Sequence, residues 1–302
     1  MPRGLSYPDA YPRGECVSNR ARIARWTVLP AAAVVAGLLS LVSVTWATPE
    51  SQSTASQARI VGGSEVESGA HEYAVYITDE YGQQFCGGAL VAPDQVVTAA
   101  HCVADSEPED LGVVAGRQDK RSDEGTEAGV RQVWVHDDYY TVTEGNDVAV
   151  LQLDQDLPYR TIDPATKDDG DLYRVGTKAT VLGWGTTSES GKPSDRLRAA
   201  RMPVRADADC VNAYDTYTKN QMVCAGYREG GTDACQGDSG GPLVAGGRLI
   251  GIISWGEGCA RPGKYGVYTE VRHYAEWIET AGAGQQSVVS GGDSGLPILG
   301  GG

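Results

Sequence analysis

The sequence has no surplus of basic residues. Its 25 Lys and Arg are outnumbered by 40 Asp and Glu, for a formal net charge of -15. Nucleic-acid binding needs a basic face, so this balance argues against it. No C-x-x-C pair occurs anywhere in the chain. The seven cysteines, Cys16, Cys86, Cys102, Cys210, Cys224, Cys235 and Cys259, lie too far apart for a small disulfide scaffold or for metal-ligand spacing. No His/Cys cluster points to a catalytic metal. Asn-x-Ser/Thr is also missing, so no N-glycosylation acceptor is present. Long helical periodicities are scarce, and no internal repeat is visible.

What is present is glycine and short apolar runs. There are 40 glycines in 302 residues, a length that suits about one to two domains. Arg20, Arg22 and Arg25 precede an apolar run over 26–47, which closes on Thr45-Trp46-Ala47. A basic start, an apolar middle and a small-x-small end predict a signal peptide over 1–47. The run is also about long enough to span a bilayer, so an uncleaved N-terminal anchor is the alternative. Cleavage would discard Cys16 and leave six cysteines in an exported domain, where disulfides form. Residues 48–59 are polar, end in Arg59 and read as a pro-segment. Residues 282–302 are Gly/Ser-rich and read as a flexible tail.

Between them, residues 60–281 carry short strands separated by turns. Strands are expected at 73–77, 88–92, 95–98, 131–135, 148–153 and 179–182, and at 243–244 and 249–253 on either side of a Gly246-Gly247 hairpin turn. Such spacing suggests a barrel or sandwich. Val271, Tyr274, Ala275 and Ile278 recur at helical spacing and predict one closing helix.

Three segments hold the parts of a nucleophilic site. They are Thr98-Ala99-Ala100-His101-Cys102, Gly145-Asn146-Asp147-Val148 and Gly237-Asp238-Ser239-Gly240-Gly241-Pro242. A serine hydroxyl is a weak nucleophile until a base takes its proton, a third group orients that base, and donors await the oxyanion. Singly, each segment could be an ordinary turn or strand start. Together, in the order His, Asp, Ser and preceded by Ile60-Val61-Gly62-Gly63 after a basic residue, they are specific.

On these motifs the chain resembles the trypsin branch of the chymotrypsin-fold serine proteases over about residues 60–281. The resemblance implies an all-β fold of two six-stranded antiparallel β-barrels with a C-terminal helix. It implies a catalytic triad of His101, Asp147 and Ser239 and an acyl-enzyme mechanism. The oxyanion hole would be the N–H groups of Gly237 and Ser239, and Ser254 would support Asp147. Six cysteines can pair in 15 ways. The family pattern implies Cys86–Cys102, Cys210–Cys224 and Cys235–Cys259.

The same resemblance implies a primary pocket floored by Asp233, with Ala234, Ser254, Trp255, Gly256 and Gly266 around it. Substrates would be proteins or peptides cut after Arg or Lys. Ala234 lacks the hydroxyl that helps solvate a lysine ammonium, so Arg is expected to be preferred. Glu144 is expected to line the neighbouring subsite. Activation would follow cleavage after Arg59, when the freed Ile60 amine pairs with Asp238. No cofactor is required by this chemistry. Two structural ions are raised as alternatives: calcium at Glu124 and Glu127, against which Arg117 argues, or at Asp207 and Glu270; and sodium beside Tyr265. The expected protein is a secreted monomer, inhibited by protein protease inhibitors, with membrane contact only if the leader is retained.

Overall fold

The computed structural model describes residues 60–283. The expected leader and pro-segment, and the tail beyond Ala283, lie outside the described residues.

Within them the chain is mostly strand. The strands are β1 (Ser64–Glu65), β2 (Ala74–Thr78), β3 (Gln84–Ala92), β4 (Gln95–Thr98), β5 (Gly112–Ala115), β6 (Thr126–Val135) and β7 (Ala149–Leu153). The second half adds β8 (Lys178–Gly183), β9 (Arg198–Pro203), β10 (Met222–Ala225), β11 (Pro242–Ala245), β12 (Arg248–Trp255) and β13 (Gly266–Glu270). Three α-helices are described: α1 (Ala100–Val103), α2 (Asp207–Ala213) and α3 (Val271–Ala283). α3 therefore extends two residues into the segment expected to be tail.

The first half closes into a barrel in the order β2-β3-β4-β7-β6-β5. The second half is a seven-stranded antiparallel sheet in the order β1-β9-β8-β11-β12-β13-β10. A bridge between Val204, just past β9, and Ala225 of β10 joins the ends of its six long strands. The seventh member is the two-residue β1, which adds along the outside of β9. Six strands were expected in this half, and β1 is too short to leave a sequence signal.

Why these segments fold this way is visible locally. The Gly246-Gly247 turn has φ of +56° and +79°. Positive φ at both central residues is what a tight turn between twisted strands demands, and glycine meets it without strain. β2, β7 and β13 are buried at every position. Strands covered on both faces show mostly apolar runs in place of alternation, here broken only by the buried Thr78, Gln152, Thr269 and Glu270. α3 buries Val271, Tyr274 and Ile278 on one stripe and packs against both β7 and β12. It thus spans the two halves from outside. The larger apolar cluster likewise mixes first-half residues such as Leu151 with Trp184, Leu249 and Ile252 of the second. Among the described residues, no helix is long and apolar enough to cross a membrane.

Candidate active site

Asp147 sits just before β7, in a turn that needs outside help. Its neighbour Asn146 has φ of +55°, a left-handed conformation that asparagine tolerates better than most residues. Tyr274 of α3 steadies that turn. Its hydroxyl accepts from the Asn146 N–H at 3.1 Å and donates to the Asn146 side-chain oxygen at 3.1 Å. The Thr269 hydroxyl donates to the Asp147 carbonyl at 2.6 Å.

The Asp147 carboxylate is 1% exposed and accepts three hydrogen bonds. Its Oδ1 takes the His101 backbone N–H at 2.8 Å. Its Oδ2 takes His101 Nδ1 at 2.8 Å and the Ser254 hydroxyl at 2.5 Å. With Nδ1 donating, the other ring nitrogen, Nε2, is left as the acceptor. His101 itself lies on the four-residue α1, and Cys102 beside it is bonded to Cys86 of β3.

Ser239 lies in the turn before β11. Its carbonyl accepts from the Gly87 N–H of β3 at 2.7 Å, a bond between the two halves of the molecule. Gly240 N–H bonds the Ile253 carbonyl at 2.8 Å, which fixes the turn to β12. Among the described residues, no hydrogen bond joins Ser239 Oγ to the imidazole. Such bonds are often long before substrate arrives. Gly237 has φ of +90°, a conformation open to glycine.

Beside Ser239 is a slot of about 180 Å³. Asp233, Ala234, Ser254, Trp255, Gly256 and Gly266 all line it, together with the Cys235–Cys259 disulfide. Asp233 is 6% exposed and accepts from the Ala234 N–H at 2.9 Å and the Ala260 N–H at 3.1 Å. Burial outweighs those two donors and pushes its carboxyl up to about 7. A Cβ on Gly266 would lie 2.6 Å from the Asp233 carboxylate, so only glycine leaves that group clear.

Asp238 is fully buried beneath this site. Its carboxylate accepts from Gly185 N–H at 2.7 Å and Cys235 N–H at 2.9 Å. Burial again dominates and raises it to about 6, while those N–H groups and the charge of Lys120 pull the other way. Ile60 is buried in the neighbouring core, and the Val61 carbonyl accepts from Asp233 N–H at 3.1 Å. The remaining disulfide, Cys210–Cys224, ties α2 to β10.

The ion alternatives separate on chemistry. Arg117 Nη1 donates to Glu127 Oε1 at 2.8 Å, and its Nε donates to the Glu124 carbonyl at 2.6 Å. A guanidinium already spans that loop, so its donor set does not fit calcium. Asp207 accepts from the Tyr217 hydroxyl at 2.9 Å, and Glu270 from Arg272 Nε at 2.5 Å. Burial raises Glu270, with Asp207 adding a smaller push. Tyr265 is buried, and its carbonyl accepts from the Tyr214 hydroxyl at 2.8 Å. Glu144 is exposed on the loop before Asp147, its N–H bonded to the Thr141 carbonyl.

Sequence reasoning missed Tyr274, Thr269, Gln84 and Lys120. Tyr274 was legible only as an apolar helix position. The others bond to partners between 36 and 153 residues away, and no local pattern marks them.

A family model described as Trypsin matches residues 60–278. The chain is 51% identical over 215 residues to a trypsin of Saccharopolyspora erythraea, covering 71% of this chain and 94% of that one. It is 40% identical over 223 residues to a trypsin of Squalus acanthias, covering 73% and 94%. It is 40% identical over 236 residues to trypsin eta of Drosophila melanogaster, covering 75% and 89%.

Proposed function

Because this chain belongs to the trypsin family of serine endopeptidases, we propose that Ser239, His101 and Asp147 carry its hydrolysis of peptide bonds and that Asp233 directs it to arginine, then lysine. The observation that carries this reading is the convergence on one buried carboxylate. The His101 imidazole, the His101 N–H and the Ser254 hydroxyl all meet at Asp147.

His101 Nε2 takes the Ser239 proton as Oγ adds to the scissile carbonyl. Asp147 keeps the ring in the required tautomer and stabilises the imidazolium. The new oxyanion is received by the N–H groups of Gly237 and Ser239. The imidazolium passes its proton to the leaving amine, and the C–N bond breaks to give an acyl-enzyme. Water, deprotonated by His101, reverses these steps and frees the acid. Each oxyanion donor contributes about 3–4 kcal/mol in enzymes of this chemistry. No step requires a metal or cofactor.

The slot selects by charge. An Arg side chain reaching Asp233 presents a fork of donors to a carboxylate that is costly to bury alone. Gly256 and Gly266 leave room for the stem. This gives a pH prediction. Cation binding needs ionised Asp233, which in the empty slot ionises near 7. Benzamidine affinity is therefore about half its full value near pH 7, levels off about one unit above that, and falls by up to about tenfold per unit below it. Inhibition constants measured from pH 5 to 8 check this. A flat profile would show Asp233 ionised throughout that range and overturn its raised ionisation in the empty slot.

The reading extends to the precursor. Export through residues 1–47 and cleavage after Arg59 would free the Ile60 amine. Its ammonium would then pair directly with buried Asp238 and order the segment from Cys235 to Ser239. An Arg59→Gln chain is expected to be about 10²–10⁴-fold less active than the protein beginning at Ile60. That is the cost of leaving such a buried charge unpaired, about 3–5 kcal/mol. Equal rates for the two forms reject the switch. The exported enzyme would act as a monomer, with Glu144 disfavouring acidic side chains beside the scissile residue, and protein inhibitors would block it by entering the slot.

The direct test is the protein expressed from Ile60 and assayed on amides ending in Arg, Lys, Phe or Ala. Turnover after Arg, with fluorophosphonate labelling lost in Ser239→Ala, supports the assignment. A folded, processed protein without turnover or labelling would be a binding protein on a protease fold.

A further inference from the structure

Outside the triad and the slot, one polar chain ends at the proposed oxyanion hole and has no role so far. Lys120, in the loop between β5 and β6, donates from Nζ to Gln84 Oε1 at 2.8 Å. Gln84 opens β3 and donates from Nε2 to the Gly237 carbonyl at 3.3 Å. The direction of this chain is set by chemistry. An ammonium only donates and a carbonyl only accepts, so the amide between them must point its oxygen at Lys120 and its nitrogen at Gly237.

We propose that Lys120 is a positioning residue for peptide hydrolysis, acting through Gln84 to hold the Gly237 backbone so that its N–H faces the developing oxyanion. The proposal rests on the reading of Gly237 as an oxyanion donor. Gly237 needs such a hold because glycine at φ of +90° has no side chain to restrict it. The Ser239 carbonyl is fixed by Gly87 of β3, and Asp238 is fixed by Gly185 and Cys235. Gln84 is the described side chain that bonds the Gly237 carbonyl, just before them in the chain.

A lysine suits the far end of this relay. It is half-buried, and burial holds its ammonium below the ordinary lysine range. The carboxylates of Asp195 and Asp238 offset only part of that lowering. Its backbone N–H is also anchored, to the Asp195 carbonyl at 2.8 Å. The stem is thus fixed at one end and the ammonium at the other.

The test separates ground-state binding from oxyanion binding, in the protein that begins at Ile60. Benzamidine fills the slot without an oxyanion. A peptidyl-argininal adds Ser239 Oγ across its aldehyde and places the resulting oxygen in the hole. In Lys120→Met, kcat for an Arg amide is expected to fall about tenfold and argininal inhibition to weaken by about the same factor, because a misaimed donor loses part of a contribution of about 10²–10³. KM and benzamidine inhibition stay unchanged, and Lys120→Arg restores kcat. Gln84→Met gives the same pattern, and the double variant loses no more than either single, as members of one relay should.

Unchanged kcat in both single variants would overturn the proposal. So would equal weakening of benzamidine and argininal, which is what general loosening produces, or additive losses in the double variant. If Lys120→Met does not fold, Gln84→Met decides alone. An inactive parent enzyme, by contrast, would refute the triad reading itself.

Discussion

Ser239→Ala and His101→Ala each lower kcat by about 10⁶-fold, and the double variant loses no more than either one. Non-additivity is the informative part, and its scale is carried over from triad enzymes of this mechanism. Oγ without a base holds its proton, and a base without Oγ has nothing to activate. Removing either therefore removes the same step. Asp147→Asn is milder, on the order of 10⁴-fold, a magnitude carried over from the family's own triad. An amide at that position would turn a donor toward Nδ1 and the Ser254 hydroxyl or, flipped, toward the His101 backbone N–H. What remains is binding and oxyanion stabilisation, which still exceed water. Single-turnover kinetics on an Arg ester check all four proteins. Losses that multiply in the double variant would show two independent contributions and sink the assignment of a shared step.

The second large effect is on selectivity. Asp233→Ser is expected to lower kcat/KM for Arg substrates by roughly 10²–10⁴-fold, the equivalent of about 3–5 kcal/mol for a buried ion pair left with one partner. Rates for Phe substrates should not fall. The guanidinium would enter a slot whose floor no longer answers its charge, while the Ala234 and Ala260 N–H groups that now serve Asp233 would add two further donors to the mismatch. Competition between Arg and Phe amides in one tube reads the ratio directly. An Arg preference that survived the substitution would mean that Asp233 is a structural acid and that selectivity lies elsewhere.

The chain disclosed its parts unevenly. Strand 95–98 and the Gly246-Gly247 turn were legible because each carries a local signal, an apolar run or a pair of glycines that only one turn type favours. β6 was read as half its length, since its first residues, Thr126 and Glu127, look like loop and are held by pairing with β5. Neither period nor alternation could announce two barrels, because strands buried on both sides have no polar face to count. The three segments of the candidate site were legible through motif order, which needs no knowledge of contacts. Its supports were not. Tyr274 looks like a core residue and also steadies the Asn146 turn beside Asp147. Lys120 and Gln84 look like surface residues and lead to Gly237. These roles exist only once distant segments have met.

The bond from Gly87 N–H to the Ser239 carbonyl has one more implication. Gly87 belongs to the first barrel, with His101 and Asp147, and Ser239 belongs to the second. The connection between β7 and β8 carries the chain from the first barrel to the second, and only the short β1, paired with β9, precedes the first barrel on the far side. Two polypeptides divided there would each carry an incomplete set of groups, silent apart. Reunion would have to restore an amide-to-carbonyl contact of 2.7 Å. Hydrolysis by such a pair would therefore report not mere proximity of two fragments but their assembly in the native register.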